Sequence, residues 1–287
     1  MTWQQVIIII LVLTLVILLV FSRGYRTARR VSVPPSPPVN KENTVHADYA
    51  EKPSTTMQDN DNELIANVSK EALLGHVNPS VDDDFVLIDA AHASRSGMYL
   101  RREVYDAFLA MREAALAEGI ELTVLSATRD FQHQKRIWEN KWHGRQILHG
   151  NILATDIQDT AERALEILRF SAMPGTSRHH WGTDVDLNSL VNSYFESGEG
   201  KQIYDWLQSN AAGFGFCQPY TRHGEARTGG YEEEKWHWSY KPISSIFLKA
   251  YKAKVSYDDI RDFAGWETAA PLQVIERFVL DVNRDCH

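Results

Sequence analysis

The chain has 287 residues, enough for one large domain or two small ones. Hydrophobic residues make up 44% and charged residues 24%, as in globular proteins with a packed core. The net charge is −8. The only charged residues among the first 30 are four arginines, so the rest of the chain carries 26 basic and 38 acidic side chains. This balance excludes nucleic acid as an expected partner.

An apolar run near the start of the chain predicts a membrane anchor. Residues 6–21 are apolar except for one threonine, and as a helix they would extend about 24 Å. We therefore predict a single-pass anchor at residues 1–22 and a disordered, proline-rich linker at residues 23–62; a cleaved signal peptide is the alternative. The expected location is the cell membrane, with the folded domain outside the cytoplasm. The four arginines after the run oppose this orientation, because positive charge is normally retained in the cytoplasm.

Residues 63–287 are predicted to form one α+β domain, because helical and strand patterns alternate there in no regular βαβ order. Apolar residues at three- to four-residue spacing from Leu100 to Ala115 predict an amphipathic helix that ends at Gly119. Alternation in "IELTVLSA" predicts a strand over residues 120–127. Further helices are expected over residues 159–172, over residues 200–216 with Gly213 near the end, and after Pro271.

The stretch "SRHHWGTDVDLN", residues 177–188, combines four side chains that can bind a metal. As a strand, "TDVDL" places Asp184 and Asp186 on an open face and its aliphatic residues on the buried face. The turn at Gly182 allows the preceding histidine to fold back beside one aspartate. The spacing does not choose between His179 and His180, nor between the two aspartates.

A second stretch, "YEEEKWHWSY", lies fifty residues further on. Trp236 and Trp238 would share one strand face and leave His237 on the other, with Glu234 three residues before it. Two imidazoles, one carboxylate and a free glutamate are the groups of a catalytic zinc site. The alternative is a core histidine between tryptophans, together with an acidic surface loop.

Three motifs resemble those of a known family. Ser177, His179, Gly182 and Asp186 fit the pattern S-x-H-x-x-G-x-x-x-D of the VanY-type zinc D-alanyl-D-alanine carboxypeptidases, which share a fold with D,D-dipeptidases and hedgehog-like domains. "EKWHW" resembles the family's E-x-W-H, and "SATRDFQHQ" resembles S-x-x-R-x-x-x-x-Q. The resemblance covers residues 92–245.

The resemblance implies a role for each matched residue. It makes His179, Asp186 and His237 the ligands of Zn²⁺ and Glu234 the catalytic base. It makes Arg129 the cation that faces the oxyanion, and Ser177 and Gln134 contacts of the substrate. The implied fold is a small antiparallel sheet flanked by helices, with a core at residues 92–245 and a helical extension at residues 246–287.

The implied activity is cleavage of peptidoglycan stem peptides by removal of a terminal D-alanine. L,D-carboxypeptidase, dipeptidase and endopeptidase activities are alternatives. One position departs from the family, since Asp184 stands where alanine is usual; its carboxylate would bond a ligand histidine or repel an acidic substrate. We also consider a non-catalytic, zinc-stabilised cell-wall-binding module, closed by Asp184 or His180 as a fourth ligand, and a mononuclear iron oxygenase. Cys217 and Cys286 are too few for a disulfide scaffold, and whether they pair is left open, as is the oligomeric state.

Overall fold

A computed structural model describes residues 62–224 and 227–287 of the chain. The predicted anchor at residues 1–22 and almost all of the predicted linker lie outside the described residues. Across the described ranges, no helix combines the length and the apolar character needed to cross a bilayer.

The described residues form α-helices that pack against two small sheets. A helical stretch at residues 62–67 precedes the first of the α-helices numbered here. In chain order these are α1 (Lys70–Leu74), α2 (Arg102–Ala117), α3 (Phe131–Trp142), α4 (Thr160–Leu168), α5 (Gly198–Asn210) and α6 (Lys241–Lys254). Short 3-10 turns connect many of them.

The strands are short and pair antiparallel. They are β1 (Phe85–Leu87), β2 (Tyr99–Arg101), β3 (Val124–Ser126), β4 (Asp184–Leu187), β5 (Phe216–Cys217) and β6 (His237–Tyr240). β1 and β2 form a two-stranded sheet, and the other four form a sheet in the order β3-β4-β6-β5. This is the small antiparallel sheet flanked by helices that the sequence predicts.

The hydrophobic core has two parts. In the first, the apolar face of β4 and β6 packs with α2 and α5, and Val185, Trp238 and Phe108 are buried there. The second lies among α1, α3, α4, α6 and the C-terminal residues, around Trp138 and Tyr251. Because strand side chains alternate, burial of Val185 and Trp238 on one face directs the polar residues of β4 and β6 to the other.

A disulfide joins β5 to the C-terminal end of the chain. Cys217 and Cys286 are bonded, with their Cα atoms 5.6 Å apart. The sequence had left this pairing open. The cross-link encloses the chain segment that carries Glu234 and His237.

Two predicted elements near the first sheet are shorter than expected. The helix predicted from Leu100 begins at Arg102, because Leu100 belongs to β2 and pairs with Val86. Leu100 is nevertheless buried, so the apolar pattern located the core correctly. The strand predicted over residues 120–127 is limited to β3, which pairs with β4 at Val124 and Ser126.

Two predicted helices toward the C-terminus are also corrected. α5 ends at Asn210 and continues as a 3-10 turn that is closed by Gly215, with φ 83°, not by Gly213. The helix expected after Pro271 is a single π-helical turn, Ile275–Val279, because Gln273 has φ 53° and interrupts regular helix. The predicted helical extension at residues 246–287 is therefore α-helical only as far as Lys254.

Candidate metal centre

A tight turn places His179 beside the four-stranded sheet. The 3-10 turn Arg178–Trp181 ends at Gly182, which has φ 72°. A Cβ atom at this position would lie 2.4 Å from the ring of Phe85, so both the backbone conformation and the space require glycine. The chain then enters β4 with His179 folded back over it, as the sequence predicted.

The register of β4 and β6 aligns the next two residues. Asp186 lies opposite His237, and Asp184 lies opposite Ser239. All four side chains share the face that points away from Val185 and Trp238. Two distant segments of the sequence thus meet directly across one strand pair.

Three donor atoms converge at this point. His179 Nε2 lies 3.3 Å from Asp186 Oδ2, and His237 Nδ1 lies 3.3 Å from Asp186 Oδ1. Donor atoms of these three residues all lie within 4.8 Å of one another. Two ligands held about 2.0–2.1 Å from a tetrahedral zinc ion are roughly 3.3 Å apart, so these separations fit one zinc ion.

The opposite ring nitrogens fix the orientation of both histidines. His179 Nδ1 donates to the carbonyl oxygen of Ala127 at 2.8 Å, which leaves its Nε2 lone pair free. His237 Nε2 donates to Asp184 Oδ2 at 2.8 Å, which leaves Nδ1 toward Asp186. His179 Nε2 and Asp186 Oδ1 are buried without a hydrogen-bond partner among the described residues. Buried polar atoms of this kind are uncommon, and a metal ion would satisfy both.

The protonation states also suit a cation. Burial lowers the pKa of His179 to about 4, so its imidazole is neutral at pH 7. Burial alone would lower the pKa of His237, but the neighbouring carboxylates of Asp184, Asp186 and Glu234 raise it well above the usual value. Three carboxylates around one imidazole hold an excess of negative charge. A divalent ion held by His179, Asp186 and His237 would compensate this charge.

Glu234 lies beside the donor group without belonging to it. Its Oε2 is 3.2 Å from His237 Nδ1, and only 6% of the residue is exposed. The backbone is held in place, because Glu234 N donates to Tyr220 O at 2.9 Å and its carbonyl oxygen accepts from Gln218 Nε2. Burial raises the pKa of Glu234 from its ordinary value, which suits a group that accepts and returns a proton near neutral pH.

Asp184 occupies the far side of His237 in a closed network. Its Oδ2 accepts from Arg178 Nε at 2.9 Å, and its Oδ1 accepts from Ser239 Oγ and Thr183 Oγ1. The prediction that Asp184 stands on an open face is wrong, because the residue is fully buried. Burial disfavours its charge, but Arg178 and His237 outweigh burial and hold the pKa of Asp184 below its usual value. Asp184 therefore bonds His237, and the adjacent Arg178 compensates its charge.

His180, the alternative to His179, uses both of its nitrogens elsewhere. Nδ1 donates to Arg129 O at 2.7 Å, and Nε2 accepts from Gly175 N at 3.0 Å. Its ring lies against Gly75, the left-handed residue that ends α1, where a Cβ atom would be 2.3 Å from Nδ1. His180 thus packs the turn against α1 and has no free lone pair for a metal.

The three remaining predicted site residues differ in their access to the site. Arg129 Nη2 lies 3.8 Å from Asp186 Oδ2, and the guanidinium lines a cleft over the donor group. Gln134 is fully buried; it accepts from Arg129 Nη1 at 3.1 Å and donates to Ala172 O at 2.7 Å. Gln134 is thus placed to orient Arg129. Ser177 is buried at the start of the turn and is not among the residues that line the cleft.

The cleft has a volume of about 790 Å³ and reaches Asp186, Glu234 and Arg129. Its walls include groups that sequence reasoning did not assign, above all Lys141 from α3 and Ser171. The apolar wall is formed by Phe170 and Trp236, whose ring centroids are 6.5 Å apart, and by residues of the loop after α3. For Lys141 and Ser171 the sequence carries no signal, because helix periodicity describes Lys141 only as a solvated position.

A buried histidine–aspartate–histidine group with an unattached glutamate and an arginine beside it defines a mononuclear metallohydrolase site. The chain belongs to the VanY family, described as D-alanyl-D-alanine carboxypeptidase, which matches residues 97–243.

Individual relatives agree with this membership. The carboxypeptidase-named protein YodJ of Bacillus subtilis (strain 168) is 31% identical over 195 residues, which are 64% of this chain and 62% of that protein. A D-alanyl-D-alanine carboxypeptidase of Enterococcus faecalis (strain V583) is 29% identical over 134 residues, 46% of this chain and 45% of that protein. The chain thus spans less than two thirds of the length of either relative.

Solved structures of related name are similar over part of the chain. VanYB in complex with D-alanine-D-alanine overlays with a TM-score of 0.44 at 24% identity and covers 60% of this chain and 86% of that one. The LdcB LD-carboxypeptidase overlays with a TM-score of 0.44 at 23% identity and covers 66% and 78%.

Proposed function

We propose that this protein is a zinc peptidase that removes the terminal D-alanine from peptidoglycan stem peptides. The observation that carries the proposal is the meeting of His179, Asp186 and His237 around one point, with Glu234 free beside it. Family membership supplies the substrate class.

In this proposal His179 Nε2, one oxygen of Asp186 and His237 Nδ1 hold the zinc ion. A zinc ion bound there would act as a Lewis acid that polarises a carbonyl group and makes water more acidic. Glu234 takes a proton from the attacking water and later returns it to the leaving amine. Burial raises the pKa of Glu234, which strengthens it as the acceptor of that proton.

Arg129 is the proposed donor to the oxygen that becomes negative as the carbonyl is attacked. Its guanidinium lines the cleft, and its Nε is buried without a partner among the described residues. The hydrogen bond from Arg129 to Gln134 and the contact with Asp186 hold the guanidinium in place before a substrate arrives. A donor that is already oriented need not reorganise during the reaction.

Two alternatives receive less support. A non-catalytic zinc module needs a fourth protein ligand, but Asp184 is bonded to His237, Arg178 and Ser239, and His180 has both nitrogens occupied. A free carboxylate beside the open position favours hydrolysis over an iron oxygenase, because it can act as the general base for the attacking water.

The test is incubation of the full chain with a stem peptide that ends in D-Ala–D-Ala, with zinc or with a chelator, followed by weighing of the products. We expect the loss of one D-alanine, abolished by the chelator and restored by zinc. Cleavage of free D-Ala–D-Ala but not of the stem peptide would instead define a dipeptidase, and cleavage only of a peptide that ends in a single D-alanine would define an L,D-carboxypeptidase. No product in the presence of zinc would overturn the proposal.

We further propose that residues 1–22 anchor the protein in the membrane and that residues 23–62 tether the domain outside the cytoplasm. The apolar run supports the anchor. The bond between Cys217 and Cys286 supports an oxidising compartment, where disulfides persist. Labelling of the domain from outside intact cells tests the orientation, and labelling only after lysis would reverse it.

A further inference from the structure

A lysine in the cleft is not used by the chemistry described above. Lys141 belongs to the last turn of α3, seven residues after Gln134 and on the same side of the helix. Seven residues at about 1.5 Å each place it roughly 10 Å further along the helix axis. Its side chain lines the cleft that also contains Glu234 and Arg129.

The ammonium group of Lys141 has no carboxylate partner. Its Nζ donates to the hydroxyl of Ser171, which also lines the cleft, and no carboxylate of the described residues lies within ion-pair distance. Lys135 on the same helix is different, since its Nζ is 3.8 Å from Glu139 and donates to Asp262 O. Burial lowers the pKa of Lys141, and Glu234 is the carboxylate whose charge acts against this shift. A cation that is partly removed from water and left unpaired is placed to receive an anion.

The proposed substrate carries such an anion in a fixed place. In a peptide that loses its last residue, the terminal carboxylate lies one residue, about 3.8 Å of chain, beyond the scissile bond. The group that binds this terminal carboxylate must therefore lie in the same cleft as Glu234. Arg129 is already engaged by Gln134 and Asp186. Lys141 and Arg95 remain as cleft cations without a carboxylate at ion-pair distance among the described residues, and Lys141 is near enough to the base for the charge of Glu234 to act on it.

We propose that Lys141, together with the Ser171 hydroxyl, binds the C-terminal carboxylate of the substrate and so makes the protein an exopeptidase. This inference rests on the proposed function, because it assigns the carboxylate of that substrate. An internal peptide bond or an amidated end presents no charge at this point, and the ammonium would then be buried unpaired beneath the bound peptide.

The experiment compares two peptides on the full chain, one that ends in D-Ala–D-Ala with a free carboxylate and one with the same sequence and a C-terminal amide. The wild type should prefer the acid. Lys141→Met should raise KM for the acid on the order of tenfold to a hundredfold, the range of one hydrogen bond to a charged group, and should leave KM for the amide no higher than in the wild type. Lys141→Arg should restore part of the preference.

Lys135→Met is the matched control, because it removes an ammonium from the same helix outside the cleft and should leave both peptides unaffected. Binding of both peptides to Glu234→Gln protein with its zinc, measured by calorimetry, gives the same comparison without turnover. An acid-to-amide ratio that Lys141→Met does not change, in turnover or in binding, overturns the inference. Absence of wild-type cleavage with normal Lys141-dependent binding would overturn the proposed reaction and retain this site.

Discussion

The two sides of the His237 ring are built in opposite ways. On the Nε2 side, Asp184, Arg178 and Ser239 form a buried network in which the oxygens of Asp184 are fully engaged. On the Nδ1 side, His179 Nε2 and Asp186 Oδ1 lack hydrogen-bond partners among the described residues, and Glu234 is held close by. The difference separates support from chemistry: one side fixes the imidazole, and the other leaves lone pairs for a ligand from outside the chain.

The largest effect on zinc binding and activity is expected on the Nδ1 side of His237, where the donor atoms lack partners. His179→Ala should abolish stoichiometric zinc binding and with it all activity, because it removes one of three donors. His180→Ala should keep the zinc ion and lower thermal stability. The buried partners of that imidazole would be left without a hydrogen bond, which costs about 1–3 kcal/mol of unfolding free energy. Elemental analysis of both purified variants, with thermal unfolding, decides the matter. Zinc lost from the His180 variant and kept by the His179 variant would reverse the assignment.

The next largest effect on activity concerns proton transfer by Glu234. Glu234→Gln should keep zinc at one ion per chain and reduce kcat on the order of 10²–10⁴-fold, the usual contribution of general base catalysis. Glu232→Gln is the matched control, because Glu232 pairs with Arg169 at 3.4 Å and its side chain is 42% exposed. Steady-state kinetics on the stem peptide is the measurement. A Glu234→Gln protein with wild-type kcat would remove Glu234 from the mechanism.

The smallest effect on activity is expected at the saturated side. Asp184→Ala should weaken zinc binding by about 10–100-fold, as for other carboxylates that orient a ligand histidine. It should also cost on the order of 3–5 kcal/mol of unfolding free energy, because the Arg178 charge is left buried and unpaired. Adding Arg178→Met should recover most of the stability and none of the zinc affinity. Recovery of both would mean that Asp184 acts only as the partner of Arg178.

The sequence predicts the meeting of β4 and β6 because alternation and a glycine turn are local signals. From the residues alone, the sequence predicted that segments 177–188 and 231–240 meet, with His237 facing the site and Glu234 close to it. It could not choose His179 over His180, since that choice depends on hydrogen bonds to Ala127 O and Arg129 O, more than fifty residues away in the chain.

Other misses have the same origin. Asp184 was expected on an open face because alternation gives the side of a strand but not what covers that side, which here is Arg178. The irregular end of the chain was expected to be helical because apolar spacing does not reveal the positive φ at Gln273. Lys141 gave no signal, since its role depends on which carboxylates are missing around it.

The contacts of α1 have a practical consequence for anyone who shortens this protein. The family match begins at residue 97, yet Leu73 O accepts from Trp181 Nε1, Gly75 O accepts from Phe131 N, and the His180 ring rests on Gly75. The smallest autonomous folding unit therefore reaches well upstream of the recognisable homology. A truncation at residue 92 would remove the contacts of Leu73 and Gly75 that support the turn Arg178–Trp181. A truncation that retains residues 62–91 would preserve these contacts.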